Sequence, residues 1–285
     1  MPIAKIAAIH DITGVGRCGL SVITPILSAL CHQVCPLPTA LLSAHPGGFT
    51  DFHIHSLADD APAVLAHWEH EALRFDACYT GYMCATAQVR AVTAALTRIK
   101  HTVLLVDPVM GDHGKLYSIV DAPLVAAMRE LAATATIITP NLTEAHTLLE
   151  IPYEKKMYTH MEAQDLAAVL SARYEADCIV KGVPLADGRM TNVLAARNAH
   201  NAIFAEYAQE PTSFPGTGDA FAALLLGVYL HSRNLEQAFQ IATAIATELV
   251  IYTHAQKTPV REGVLVEAFC PSLARKCGIK NGLSQ

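Results

Sequence analysis

The chain has 285 residues, 52% of them hydrophobic and 16% charged, which is enough apolar material for one large α/β domain covered on both faces. Its net charge of −6 argues against nucleic acid or an anionic membrane as the main partner, and its eight scattered cysteines form no CxxC pair that would suggest zinc or a disulfide framework. The first ten residues lack the apolar region and cleavage site of a signal peptide and the longest apolar run, 220–230, is too short to span a bilayer, so a cytoplasmic protein with a small-molecule partner is expected.

No Pro/Gly/Ser-rich or charged linker interrupts the chain, so residues 1–285 are read as one domain. Ile3 to Ile9 reads as a buried strand, followed by a loop from His10 to Gly19 and a helix through Ile23, Ile26, Leu27 and Leu30. Gly14, Gly16 and Gly19 match the G-x-G-x-x-G spacing of dinucleotide-binding folds. That fingerprint needs an acid about 20 positions on, at the end of the second strand, to hold a ribose hydroxyl. Here the second strand, Gln33 to Leu37, ends in Pro38-Thr39-Ala40 and the next acid is Asp51, so the glycines are better read as lining a substrate pocket. Residues 41–58, with Pro46, Gly47 and Gly48, read as a lid-like loop over the pocket, of the kind that keeps water from a reactive centre. His53 and His55 in that loop are too weakly spaced to indicate a metal site.

Helix Asp59 to Glu71, strand Ala77 to Thr80 and helix Ala85 to Lys100 continue the alternation, and Tyr82 follows the strand toward a pocket. The apolar strand from Thr102 is closed by Asp107, and strand Thr136 to Thr139 runs into Pro140, Asn141 and Glu144 at the start of a helix. Open α/β sheets bind ligands outside the carboxyl ends of their strands. Helix capping accounts for Thr139 or Asn141 but does not require Glu144. Two carboxylates facing polyphosphate would repel it, and magnesium removes that conflict. Farther on, Met161 to Tyr174 reads as a helix, Cys178 to Lys181 as a strand, Met190–Ala196 with Asn201–Glu206 as a hairpin, and Leu235 to Leu249 as a long amphipathic helix. The end from Lys276 reads as frayed.

The most informative stretch is Ser213 to Gly227, where Gly216-Thr217-Gly218-Asp219 enters a very apolar helix. Glycines that turn successive N–H groups toward one point, at a helix N-terminus, bind anions. A carboxylate beside such a point needs a task, and taking a proton from an attacking hydroxyl is one. An ordinary glycine turn capping a core helix is the plainer alternative.

The turn Gly216-Thr-Gly-Asp219 resembles the anion hole and aspartate of the ribokinase-like superfamily. Asp107 to Asp112, Thr139-Pro-Asn141 with Glu144, Thr80-Gly-Tyr82 and Cys35 to Ser43 resemble its pyridoxal/pyridoxine/pyridoxamine kinase branch. The resemblance implies a mostly parallel sheet flanked by helices on both faces. It also implies transfer of the γ-phosphoryl group of ATP to the 5′-hydroxymethyl of a vitamin B6 vitamer. Asp219 would be the base, with Gly216, Thr217 and Gly218 cradling the transferred group. Asp107 and Glu144 would position Mg²⁺, Asp112, Tyr117, Thr139 and Asn141 would lie along the phosphates, and His10, Asp11, His45 and Tyr82 would surround the ring. A potassium ion near the anion hole and a homodimer belong to the same family pattern. His10-Asp11 stands where many such kinases have Ser-His, and Pro46 where they have threonine. Ile179-Val-Lys181-Gly182 looks instead like the hydroxymethylpyrimidine kinases of thiamin synthesis, which share the catalytic residues. A non-catalytic vitamin-binding protein would be expected to lose the anion turn or its acid.

Overall fold

The computed structural model describes residues 3–279, so the last residues of the segment read as frayed lie outside the described residues. Its centre is a nine-stranded sheet. In chain order the strands are β1 (Lys5–Val15), β2 (Gln33–Ala44), β3 (Ile54–Ser56), β4 (Arg74–Thr80) and β5 (Lys100–Val106), with the short hairpin β6 (Gly111–Asp112) and β7 (Lys115–Leu116) outside the sheet, then β8 (Ile137–Ile138), β9 (Asp177–Pro184), β10 (Met190–Ala195) and β11 (Ile203–Tyr207). The order across the sheet is β11-β10-β9-β8-β5-β4-β1-β2-β3, parallel from β9 to β2 and antiparallel at both margins.

Helices cover both faces, as strands apolar on both sides require. Ile6 and Ala8 of β1 and Val103 and Leu105 of β5 pack with α1 (Leu20–Ala29), α7 (Thr217–Ser232) and α8 (Leu235–Ala255). Ala7, Ile9, Leu104 and Val106, which alternate with them, pack with α2 (Ala61–His70), α3 (Thr86–Leu96), α4 (Ala122–Ala132), α5 (Leu142–Leu149) and α6 (His160–Tyr174). α7 is apolar almost all round because it is sandwiched between the sheet, α1 and α8. No helix among the described residues is long and apolar enough to cross a membrane.

The structure corrects the sequence reading at three places. The segment read as a loop from His10 is strand as far as Val15, with a bulge between His10 and Ile12. The second strand does not stop at Leu37 but runs through Pro38 to Ala44. Its prolines are tolerated because β3 pairs with β2 only over Ala40–Leu42, leaving the outer edge at Pro36 and Pro38 without a hydrogen-bonding neighbour. Within the 41–58 segment read as a lid-like loop, 41–44 belong to β2 and Ile54–Ser56 forms β3 paired with it, while 45–53 and 57–58 are irregular. Elsewhere element types agree and ends differ by a few residues, as with α3, which stops at Leu96 rather than Lys100.

Candidate active site

The carboxyl ends of β1, β4, β5, β8 and β9 meet the N-terminus of α7 at one crevice. Gly216 caps α7 in the left-handed region at φ 80°, and a Cβ there would lie 2.3 Å from the Arg17 carbonyl oxygen, so only glycine fits. Thr217 hydrogen-bonds the Phe214 carbonyl through its hydroxyl at 2.7 Å, while the amides of Gly218 and Asp219 have no protein acceptor among the described residues. These are the free N–H groups of a helix start.

Asp219 is buried in the first turn. Its Oδ2 accepts from the Gly19 amide at 2.7 Å, and its Oδ1 lies 3.3 Å from Nε2 of His10, in contact but off the line of a good hydrogen bond. His10 continues the face of Ile6 and Ala8 on which α7 packs, and its Nδ1 is 2.7 Å from Asp11 Oδ1. Gly81 makes room for this ring, since a Cβ there would meet it at 2.0 Å. Burial alone would lower the His10 pKa, but the Asp219 charge and the Asp11 hydrogen bond raise it to about 10. Burial alone would raise Asp219, and the opposing His10 charge, with hydrogen bonds from Gly19 and Cys18, lowers it to about 2.

Asp107, just past β5, is 2% exposed and receives two hydrogen bonds from Nζ of Lys181, at 2.8 and 3.0 Å. Burial would lower the lysine pKa, but Asp107 and Glu144 more than offset it and keep the ammonium charged. The ammonium also lies 3.5 Å from where a Gly218 Cβ would be, so it bridges Asp107 and the glycine turn. The sequence reading placed Lys181 at a strand end and in the motif shared with hydroxymethylpyrimidine kinases, but gave it no role in the site. A lone charge closing an apolar strand, as Asp107 does, was the available signal.

Glu144 is the third residue of α5, and the capping explanation does extend to it. Asn141 Oδ1 accepts from the Glu144 amide at 3.0 Å while Glu144 Oε2 accepts from the Asn141 amide at 2.8 Å, a reciprocal box, and Oε1 accepts from the Met110 amide at 3.2 Å. Burial and the nearby Asp107 charge push its pKa up to about 8. Asn141 also donates to the Gly111 carbonyl, so its whole side chain joins α5 to the β6–β7 hairpin. The Thr139 hydroxyl is buried without a partner, as are those of Tyr79 and Thr80 on β4. Asp112 is exposed on the hairpin and accepts from the His113 amide, and Tyr117 stands near enough to Glu144 and Asp112 for their charges, after burial, to raise its phenol.

His45, expected near the vitamer ring, has both ring nitrogens engaged within the protein. Nε2 donates to the Arg261 carbonyl at 2.8 Å and Nδ1 accepts from the Gly47 amide at 3.0 Å, so neither nitrogen is left for a ligand. The ring is wedged beside Gly16 and Phe49 and ties the β2–β3 loop to the segment after α8. Tyr82 is half-buried, and its carbonyl is fixed by the Thr39 hydroxyl at 2.6 Å.

A parallel sheet with its acids, an ammonium and a glycine helix start gathered at the strand ends defines a ribokinase-like fold. The chain belongs to the phosphomethylpyrimidine kinase family, whose sequence model matches residues 11–262. It is similar to a Bacteroides thetaiotaomicron protein, described as a phosphomethylpyrimidine kinase and solved with pyridoxal, at 34% identity and a TM-score of 0.89 over 95% of this chain and 96% of that one. Pyridoxal kinase from Lactobacillus plantarum matches at 30% identity and a TM-score of 0.88, covering 96% of this chain and 98% of that one. Among sequences, Arabidopsis thaliana pyridoxal kinase is 24% identical over 239 residues, 79% of this chain and 74% of its own.

Proposed function

We infer that the protein is an ATP-dependent kinase of vitamin B6 vitamers, acting on the 5′-hydroxymethyl group. The observation that carries this reading is the Asp219 carboxylate, held ionised beside the two open amides of the glycine turn. The vitamer hydroxyl oxygen bonds to the γ-phosphorus, the bond from that phosphorus to the β,γ-bridging oxygen breaks, ADP leaves, and the hydroxyl proton passes to Asp219. The amides of Gly218 and Asp219 and the Lys181 ammonium face the charge that develops on the transferred group. The oxygen donors at the crevice suit a hard cation. Asp107 and Glu144, each already hydrogen-bonded, would hold Mg²⁺ through water, and the ion would neutralise phosphate charge. The orphaned Thr139 hydroxyl supports a role for that residue along the phosphates.

The likeness to pyridoxal kinases favours a B6 vitamer over hydroxymethylpyrimidine. One cytoplasmic kinase domain, a homodimer and a monovalent-cation site belong to this proposal as what the resemblance of the sequence motifs implies. Incubating the protein with ATP and Mg²⁺ and each of pyridoxal, pyridoxine, pyridoxamine and hydroxymethylpyrimidine, with product separated by chromatography, tests the reading. Phosphorylated B6 vitamers are expected; turnover of hydroxymethylpyrimidine alone, or of nothing, overturns it.

A further inference from the structure

Two carboxylates face the two ring nitrogens of one buried histidine. Nδ1 of His10 lies 2.7 Å from Asp11 Oδ1 and Nε2 lies 3.3 Å from Asp219 Oδ1, and the His10 residue is 2% exposed. A neutral imidazole has one N–H and one lone pair. Either tautomer would therefore set a lone pair against a carboxylate oxygen at a buried ring. The Asp11 amide also approaches Nδ1, at 3.0 Å, but a lone pair serving that amide would face the closer carboxylate. With both nitrogens protonated, each turns positive charge toward a carboxylate, Nδ1 in a hydrogen bond to Asp11 and Nε2 in ionic contact with Asp219.

We propose that His10 is a positioning residue for Asp219, a buried imidazolium that is anchored by Asp11 and holds the carboxylate in one ionised orientation. The proposal rests on the reading of Asp219 as the base. The Gly19 amide hydrogen-bonds Oδ2 and the His10 ring lies in ionic contact with Oδ1, so each carboxylate oxygen has a positive neighbour. The ring itself is boxed in by Gly81, where a Cβ would strike it, and by Tyr79, whose ring meets it edge-on at 6.1 Å. The raised pKa of His10 and the lowered one of Asp219 agree with this charge state. The charged or titratable groups facing the pair are Asp11 on β1, Cys18 before α1, Tyr79 on β4, Asp107 after β5, Tyr117 after β7 and Lys181 on β9. His10 thereby acts through Asp219 and does not contact the reacting phosphorus.

His10→Gln and His10→Leu, compared with wild type and Asp219→Asn, test the idea. Glutamine keeps an N–H near Oδ1 without the charge, and leucine removes both. We expect kcat to fall about tenfold in the first and about 100-fold in the second, with KM for ATP and vitamer changed less than about threefold. Without the cation, the desolvated carboxylate becomes a weaker acid, so the acidic limb of the kcat profile moves up into the measurable range above pH 4. Circular dichroism and ATP binding establish that each variant is folded. Should the leucine variant not fold, the glutamine variant decides. Unchanged kcat and acidic limb in a folded His10 variant, with Asp219→Asn inactive, overturn the positioning role alone. A raised vitamer KM with kcat intact makes His10 a ring contact and also overturns it. An active Asp219→Asn overturns the base assignment itself.

Discussion

Replacing Lys181 by methionine keeps the length of the side chain and removes its ammonium, leaving Asp107 buried and without its cation. Deleting one member of a buried ion pair costs about 3–5 kcal/mol, because the remaining charge keeps its desolvation penalty and loses its attraction. For a domain of this size that corresponds to a midpoint lowered by roughly 6–15 °C. The lone carboxylate can escape the penalty by taking up a proton, so its folded pKa rises above its unfolded value. Stability attributable to Asp107 in the variant is then greatest at low pH and is lost as pH rises. Thermal unfolding in EDTA, which keeps a divalent cation from replacing the ammonium, should show a smaller deficit at pH 5 than at pH 8. Adding Asp107→Asn to Lys181→Met should restore most of the loss, a coupling that distant sites do not show. A single variant within about 1 kcal/mol of wild type at pH 8, or a double variant no better than the single, would refute the view that the ammonium balances Asp107.

Asp219→Asn should lower kcat by roughly 10²–10⁴-fold, measured as phosphorylated vitamer formed at saturating ATP, while ATP binding by calorimetry persists. Gly216→Ala, forced into a positive φ and against the Arg17 carbonyl, should lose more than about 1 kcal/mol of stability and most turnover; a wild-type melt would contradict the glycine requirement. Glu144 has its folded pKa pushed up to about 8, above the ordinary glutamate value of about 4.5, so in magnesium-free buffer its contribution to stability is full below about 4.5 and declines as pH rises toward 8. Glu144→Gln should flatten that decline in urea titrations, whereas Glu144→Ala should also forfeit the capping box, about 1 kcal/mol.

The site's acids were legible because each announces itself locally: Asp107 closes an apolar strand, Asp219 follows two glycines, and the alternation of strands and helices places such ends together. Pro38 misled for an equally local reason, since a proline reads as a strand breaker unless the pairing of its outer edge is known. The use of His45 could not be read from its neighbours, because its partner carbonyl is 216 residues away. Glu144 shows the opposite limit: the Asn141-x-x-Glu144 spacing of a capping box was present, but the amide of Met110, 34 residues back, completes the set that its carboxylate serves. His10 was flagged as unusual beside Asp11, yet only the packing of α7 on β1 reveals which carboxylate it meets.

The segment after α8 reaches back across the crevice. Arg17 donates to the Glu262 carbonyl and to Glu267, His45 to the Arg261 carbonyl, and Val264 takes the Pro215 carbonyl behind the glycine turn. The Arg17–Glu262 contact joins residues 245 apart, and the Gly19–Asp219 contact joins residues 200 apart. During synthesis at about 5–20 residues per second, the first strand therefore emerges roughly 10–50 s before the chain that completes the crevice. Such distant pairings close late, since the entropy of a long loop must be overcome before they form. A ribosome-bound or truncated chain ending before Arg261 would already possess Asp107, Lys181 and Asp219, yet the β2–β3 loop and Arg17 would lack their far-side partners. The nascent kinase is in this way assembled with its final latch last.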